Sequence, residues 1–306
     1  MHLIQSEYAP PSHILVHISD PHFVADGLLY GELDPDAGLV EVLDSIEASG
    51  LKPEAIIFSG DLTNNGSAEA YSRLRSICTP YADRMGAELI WGMGNHDDRA
   101  NFQRLLLDEV PGELPVDRRY NLGGLRVLVL DSSSPGFHHG EINEGQLSWL
   151  AGELKTRSQD GTVLVIHHPP VPPVQDLGIL SELRNQEELA RVLEGSDVIG
   201  ILAGHTHSAV FSTFANIPVA VAPSTSYTQD LALPPGAVQG IDGPRSFNLI
   251  RIHGRTFVAA VVPVGAYSPV GTPVSAEETR QRIAAAAAAA VAATTAAATT
   301  AAEPKG

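Results

Sequence analysis

Six short apolar runs recur along the first two thirds of the chain, and each ends in, or is followed within two residues by, Asp, Asn or His. The runs are six or seven residues long, rich in Val, Ile and Leu, with turn-forming residues beside them. Runs of this length without strict alternation are typical of strands buried on both faces. We therefore predict strands at HILVHIS (13–19), AIIFSG (55–60), ELIWGM (88–93), RVLVLD (126–131), TVLVIH (162–167) and VIGILAG (198–204).

Amphipathic helical patterns lie between these strands. Ser67 is expected to cap a helix that buries Cys78 and ends at Gly86. Farther along the chain, Asn185 and Glu188 have the spacing of a capping box.

After residue 210 the pattern changes to short β-rich segments separated by turns, without helices between them. Alternating βα units followed by such a β-meander predict an α/β (α+β) fold, in which two stacked mixed β-sheets are flanked by helices. The later segments are VFSTFA (210–215), IPVAVA (217–222), FNLIRIH (247–253) and TFVAAVVPV (256–264).

The chain is predicted to have three parts: an N-terminal lead (1–12), one domain (13–265) and a low-complexity tail (266–306). From Ala284 the tail is almost only Ala and Thr, which favours a disordered or partly helical segment over a membrane anchor. No basic region followed by an apolar stretch opens the chain. We expect a cytoplasmic protein, with a peripheral position at the cell envelope through the tail as the alternative.

Charge and cysteine content restrict the type of site. The formal net charge is −17, which argues against a nucleic-acid groove because such grooves need a basic stripe. The single cysteine, Cys78, excludes an intramolecular disulfide and a thiolate metal cage. The 12 histidines are the unusual feature of the composition.

The histidines cluster where the predicted strands end. Ligands of open α/β sheets bind at the carboxyl edge of the strands. Positions i and i+2 of an extended chain share a face, so Asp20 and His22 are expected to converge on one ion, whereas His17 has the opposite parity and is expected in the core. The five strand ends carry Asp20 and His22; Asp61; Asn95 and His96; His167 and His168; and His205 and His207.

Carboxylate, amide and imidazole donors without sulfur suit manganese, iron, zinc, cobalt or nickel. Seven of these nine residues, all except His96 and His168, are candidate ligands, too many for one tetrahedral site, but they fit two ions that share a ligand. Asp61 can use both carboxylate oxygens and is the natural bridge. Two such ions form a clamp for in-line displacement at phosphorus, and their charge would attract a phosphate ester even in an acidic protein.

The ordered motifs D-x-H, G-D, G-N-H-D, H and G-H-x-H resemble those of the calcineurin-like metallophosphoesterase superfamily over about residues 13–265. This resemblance implies a four-layer sandwich of two β-sheets flanked by helices. It also implies that Asn95 and His96 contact the phosphate and that His96 assists the leaving group. The implied ligands are Asp20, His22, Asp61 and His207 for metal 1, and Asp61, Asn95, His167 and His205 for metal 2.

Within that superfamily the blocks HISDPHF, MGNHDDR, LAGHTH and YTQDL are most similar to those of bacterial class III cyclic-nucleotide phosphodiesterases of the mycobacterial type. The resemblance implies hydrolysis of 3′,5′-cyclic nucleotides, cyclic AMP to AMP, by in-line attack of a metal-bridging hydroxide. It further implies iron and manganese as the ions, with zinc, cobalt or nickel as alternatives. A small phosphodiester substrate and a homodimer are expected.

Two features depart from the family pattern or stay open. Asn64 stands where relatives often have Asp, so metal affinity is expected to differ. His138 and His139 either reach over the substrate, His138 being the binding candidate, or remain solvated loop residues. Two other functions are considered: a broad phosphodiesterase for glycerophosphodiesters or other alcohol-linked phosphates, and an inactive metal-bound envelope-associated module.

Overall fold

The computed structural model describes residues 6–301, and residues 1–5 and 302–306 lie outside the described part. One compact unit comprises Pro11–Gly265, and the described residues 6–10 and 266–301 belong to a second unit. Within the tail, Ala276–Ala301 is helical and residues 266–275 are not, while the prediction for residues 302–306 falls outside the described residues. Among the described residues, no helix is long and apolar enough to cross a membrane.

All six apolar runs form strands, each within a few residues of its predicted bounds. In chain order the elements are β1 (His13–Ile18), α1 (Pro35–Ala48), β2 (Ala55–Phe58), α2 (Ala68–Met85), β3 (Glu88–Trp91), α3 (Arg99–Leu106), β4 (Arg118–Leu122), β5 (Leu125–Leu130), α4 (Glu144–Glu153), β6 (Thr162–Ile166), a 3₁₀ helix (Asp176–Leu180), α5 (Gln186–Leu193), β7 (Val198–Ala203), β8 (Val210–Phe214), β9 (Ile217–Val221), β10 (Thr228–Gln229), β11 (Gly240–Ile241), β12 (Arg245–His253), β13 (Thr256–Val264) and α6 (Ala276–Ala301).

The strands form two large mixed sheets and one short hairpin. The first sheet has the order β13-β12-β1-β2-β3, in which β1, β2 and β3 are parallel. The second has the order β4-β5-β6-β7-β9-β8, with the four inner strands parallel. Ile18 pairs with Phe58, and Phe58 with Trp91, so the three parallel strands of the first sheet end level with one another.

Three hydrophobic clusters separate the layers. One lies between the two sheets and combines Leu15 and Ile57 of the first sheet with Val127 and Val165 of the second. The first sheet packs its other face against α1, α2 and α3, and the second sheet packs against α4 and α5. Alternate residues of each strand therefore face the sheet interface and the helices. The predicted four-layer architecture is confirmed.

The predicted β-meander after residue 210 is wrong. The four later segments form two antiparallel hairpins, β8–β9 and β12–β13, and each hairpin extends a different sheet. Strand pairing is non-local, so turn spacing along the chain could not indicate which sheet each hairpin joins. β4, α3 and the short β10–β11 hairpin are additional elements.

Helix ends are partly as predicted. The Ser67 side chain accepts a hydrogen bond from the Ala70 amide, and Gly86 ends α2 in the left-handed conformation, as expected. Asn185 precedes α5 in a left-handed conformation without a side-chain cap, so the predicted capping box is wrong. A capping box instead begins α4, at Asn143.

Candidate metal centre

The carboxyl ends of β1, β2 and β3 in one sheet and of β6 and β7 in the other place a cluster of imidazoles and carboxylates at one edge of the sandwich. The level ends of the parallel strands explain why side chains from five loops meet. Five of these residues, Asp20, His22, Asp61, His167 and His207, are buried. Donor atoms within this edge lie within 4.8 Å of one another in four overlapping groups, which are Asp20, His22 and His207; His22, Asp61 and His96; Asp20, Asp61 and His167; and His167, His168 and His205.

Several of these side chains project from left-handed backbone. The φ angles are 53° at Asp20, 49° at His22, 49° at Asp61, 73° at His205 and 51° at His207. Non-glycine residues adopt this region at a cost, and such outliers concentrate at functional sites. Local strain at five loop residues therefore supports a functional reading of the cluster.

The polar residues of the loop after β3 have three different roles. Asn95 and His96 face the cluster. The Asp97 carboxylate accepts hydrogen bonds from the amides of Leu62 (3.1 Å), Thr63 (3.1 Å) and Gly94 (2.9 Å), so it joins this loop to the loop after β2. In α3, Asp98 caps the helix by accepting from the Asn101 amide. Sequence reasoning did not identify the role of Asp97.

The Nε2 atoms of His22 and His207 face each other. The His22 Nδ1–H donates to Asn64 Oδ1 (3.3 Å), and the His207 Nδ1–H donates to the Tyr227 carbonyl (3.1 Å). Both Nε2 atoms are then lone-pair donors, and they are only 3.0 Å apart. Two imidazole nitrogens about 2.0–2.1 Å from a shared ion would lie at roughly this separation. The Asp20 Oδ1 atom is 3.3 Å from the His207 Nε2.

A second group contains buried polar atoms without partners. The His167 Nδ1–H donates to the Ser59 carbonyl (2.9 Å), which leaves Nε2 free to coordinate. Within the described residues, His167 Nε2 and Asn95 Oδ1 have no hydrogen-bond partner although both are buried. Buried polar atoms are nearly always satisfied, so these two indicate a site for a cation. Asp61 Oδ2 lies 3.2 Å from His167 Nε2 and 3.6 Å from His22 Nε2, between the two groups.

The protonation states suit metal binding. Burial acts to raise the pKa of Asp61, but His167 and the neighbouring imidazoles outweigh it and hold that pKa well below the ordinary value. Burial lowers the pKa of His22 to about 3 and that of His205 to about 4, so both rings are neutral. Burial opposes the charge on His167, yet Asp61, 3.2 Å from its Nε2, raises its pKa to about 9, so a metal ion bound there would displace the Nε2 proton of this ring. The cluster thus attracts positive charge.

His96 is placed at the edge of the cluster and differs from the buried imidazoles. Its backbone amide donates to Asp61 Oδ1 (2.9 Å), and its Nδ1–H donates to the Asn64 carbonyl (2.9 Å). The ring is only partly buried, and its centroid lies 4.9 Å from that of His22. The second nitrogen, Nε2, therefore remains available to a substrate.

His138 lies over the same edge. The exposed His138 ring accepts a hydrogen bond from Asn95 Nδ2 (3.3 Å), and its centroid is 5.8 Å from that of His96. His139 packs against Phe137 instead. Buried His168, a strand-end residue, donates from Nε2 to the His138 carbonyl (3.0 Å) and accepts from the Ser132 hydroxyl (2.8 Å). His168 therefore positions the His138 loop, a role that the sequence did not indicate.

His17 is a core histidine, as predicted from its parity: it is fully buried and bonded to the Ser59 hydroxyl at 2.9 Å.

Glycines permit the close approach of the loops. A Cβ atom on Gly94 would collide with the Asp61 carboxylate, and one on Gly204 would collide with the Ser19 hydroxyl. Both positions immediately precede residues of the cluster, so the motif glycines are required sterically.

Comparison with known proteins agrees with this geometry. Residues 14–209 match the family described as Calcineurin-like phosphoesterase. The chain is 52% identical over 284 residues to a probable cyclic nucleotide phosphodiesterase of Rhodococcus erythropolis (strain PR4), covering 93% of this chain and 94% of that protein. It is 49% identical over 286 residues to a cAMP/cGMP dual specificity phosphodiesterase of Mycobacterium tuberculosis, covering 93% and 90%.

A solved structure shares the fold at much lower sequence similarity. A dimetal phosphatase from Danio rerio superposes with a TM-score of 0.56 at 15% identity, covering 83% of this chain and 100% of that chain. At this identity the likeness concerns the fold alone.

Proposed function

The chain belongs to the calcineurin-like phosphoesterase family, and on that premise we propose that it hydrolyses 3′,5′-cyclic nucleotides, converting cyclic AMP to AMP. It is a metal-dependent phosphodiesterase with a dinuclear centre. The match covers nine tenths or more of each of the two named relatives, and their names support the cyclic-nucleotide assignment.

The unpaired atoms of the cluster carry this proposal. His22 Nε2 faces His207 Nε2 at 3.0 Å while the Nδ1 atom of each ring is engaged elsewhere, and His167 Nε2 and Asn95 Oδ1 are buried without partners in the described structure. Both arrangements are unfavourable unless a cation is present. We assign metal 1 to Asp20, His22, Asp61 and His207, and metal 2 to Asp61, Asn95, His167 and His205.

The bound ions would supply Lewis acidity and an activated water nucleophile. The residues of the chain would hold the ions, orient the phosphate and supply a proton to the leaving group. Asp61, between the two groups, would hold both ions in register, and the Asn95 amide would orient the phosphate. His96, fixed through its Nδ1–H to the Asn64 carbonyl, would deliver a proton from Nε2 to the leaving oxygen.

Charge favours a diester over a monoester. A monoester carries an additional negative charge, which usually requires extra cationic groups. Arg99 is the arginine of the GNHDDR block, but its guanidinium is engaged by Asp131 at 2.8 Å and by the Glu113 carbonyl. The cluster therefore depends on the ions for positive charge, which suits the single charge of a phosphodiester.

The donor atoms of the cluster bear on the identity of the metal pair. Oxygen and nitrogen donors without sulfur suit iron and manganese, and we propose this pair, with zinc, cobalt or nickel as substitutes. We also propose a homodimer in the cytoplasm, with a peripheral position at the cell envelope through the tail as the less favoured alternative.

The test is a substrate panel on protein of defined metal content. With Mn²⁺ present, cyclic AMP should yield AMP, and bis(p-nitrophenyl) phosphate should be cleaved faster than p-nitrophenyl phosphate. A chelator should abolish both activities, and added metal should restore them. If glycerophosphodiesters are turned over while cyclic AMP is untouched, the cyclic-nucleotide proposal is wrong and the broader phosphodiesterase is correct.

A further inference from the structure

A cavity opens beside His205, at the metal 2 side of the centre. Its walls come from the loop after β6 and from the segment around β10, and it measures about 190 Å³. That volume is more than ten times the ~10–15 Å³ that holds one water molecule. Most of the lining is apolar, including Val171, Leu231 and Val238. The cavity therefore has room for an organic group attached to a phosphate at the metal centre.

Two polar groups in this lining lack partners. Ser208 is 5% exposed, and its hydroxyl has no hydrogen-bond partner within the part of the chain that the structure describes. The same holds for Gln229 Oε1, which is also buried. A mostly apolar pocket with a few convergent polar groups is the usual form of a small-molecule site, and unpaired buried groups are costly unless a ligand satisfies them.

Gln229 is tied to the metal centre through its backbone. Its amide donates to the carbonyl of His207 at 3.2 Å, and its residue pairs with Gly240 across the β10–β11 hairpin. The backbone of Gln229 is therefore held next to the proposed ligand His207. A group bound between Gln229 and the apolar wall could be joined covalently to a phosphate that is bound at the metal ions.

We propose that this cavity, the Gln229 pocket, binds the purine base of the nucleotide substrate, an inference that rests on the proposed function. A purine has apolar faces and an edge with adjacent hydrogen-bond donor and acceptor atoms. The Gln229 carboxamide offers a matching acceptor and donor, as glutamine does for adenine in nucleic-acid recognition. Because the carboxamide can turn over, it can serve either 6-amino or 6-oxo purines, and both bases are expected to bind.

The metal 1 side offers an alternative subsite. Tyr30 is 63% exposed, and its ring lies 5.8 Å from that of Tyr227, which in turn packs on His207 at 4.2 Å. A base could stack on Tyr30 there. The Gln229 pocket is favoured because its wall is concave, mostly apolar and includes residues with unpaired polar atoms.

The first measurement uses the wild-type holoenzyme and does not need cyclic-nucleotide turnover. AMP and ribose 5-phosphate are compared as inhibitors of bis(p-nitrophenyl) phosphate hydrolysis, because they differ only by the base. AMP should inhibit at least about tenfold more tightly. Equal inhibition would overturn the pocket assignment even if cyclic AMP is a substrate, whereas a base effect without cyclic AMP hydrolysis would refute the proposed function alone.

The second measurement locates the base. In Gln229→Leu and in Leu231→Trp, which fills the cavity, the ratio of kcat/KM for cyclic AMP to that for methyl p-nitrophenyl phosphate should fall about tenfold or more. A damaged metal centre would lower both constants and leave the ratio unchanged. Val110→Trp, at a side chain that is 91% exposed and outside the cavity lining, is the control and should keep the ratio. A fall in Tyr30→Ala, with no fall in the pocket variants, would place the base on the tyrosine side.

Discussion

Asn64 sets the environment of one proposed ligand, and its replacement by Asp should strengthen metal binding. The Asn64 Oδ1 atom accepts the Nδ1–H of His22 at 3.3 Å, so it stands behind the ring whose Nε2 faces the metal 1 site. A carboxylate in this position would accept the same hydrogen bond with a full negative charge. It would make His22 a more basic ligand and hold its tautomer more firmly.

The magnitude follows from the two hydrogen bonds compared. A neutral hydrogen bond contributes about 1 kcal/mol net, and a charge-assisted one is roughly twice as strong. The gain of about 1–1.5 kcal/mol corresponds to about a tenfold higher affinity for the metal 1 ion, because 1.4 kcal/mol is a factor of about ten. That value lies at the lower end of the roughly 10–100-fold effects known for groups that orient metal ligands.

The assay is titration of metal-depleted protein with Mn²⁺, followed by calorimetry and by activity. Asn65→Asp is a matched control, because it adds the same charge at the exposed neighbouring position. Asn64→Asp should shift the binding midpoint about tenfold, and Asn65→Asp should leave it nearly unchanged. Equal shifts in both variants would mean that general electrostatic attraction, rather than the His22 contact, controls the affinity.

Three other changes are predicted. His96→Ala should lower turnover at least about tenfold with metal content intact; a parallel loss of metal would identify His96 as a ligand. Asp197→Asn should cost about 3–5 kcal/mol of unfolding free energy, seen as a lower Tm, because it strands the buried Arg126 guanidinium now 2.8 Å away. Burial raises the pKa of Asp117 to about 6, so its charge destabilises the fold increasingly from about pH 4 to above pH 6. Asp117→Asn should therefore raise Tm at pH 7–8 but not near pH 4, and a pH-independent difference would contradict this.

Much of the fold was predictable because burial and periodicity are local properties. The apolar runs indicated the central strands of both sheets, and Ser67 and Gly86 indicated the ends of α2. β4 was missed because its sequence, RRYNL, contains no apolar run; it is an edge strand held by pairing with β5. The sheet that each late hairpin joins depends on which sheet has a free edge. The local sequence of the hairpin does not indicate this.

The role of each residue in the site was less predictable than which residues form the site. Asp97 and Asp98 are chemically identical neighbours, but one gathers three loop amides and the other caps α3. Likewise His167 has an unpaired Nε2, whereas both ring nitrogens of His168 are engaged. Only the tertiary contacts distinguish the members of each pair, so a motif predicts the chemistry of the site but not each residue's task.

The convergence of Asp20 and His22 was expected from alternation in an extended strand, and that reasoning is wrong although the two side chains do lie together. Both residues have left-handed backbone, at about 1–2 kcal/mol each. The His22 amide donates to the Asp61 carbonyl (3.1 Å), the Asp20 amide to the Gly60 carbonyl (3.1 Å), and the His205 amide to the Asp20 carboxylate (3.0 Å). The proposed ligands thus hold one another's backbone in the strained conformation. The cluster is therefore a cooperative unit, in which removing one carboxylate should disturb the loops as well as the ions.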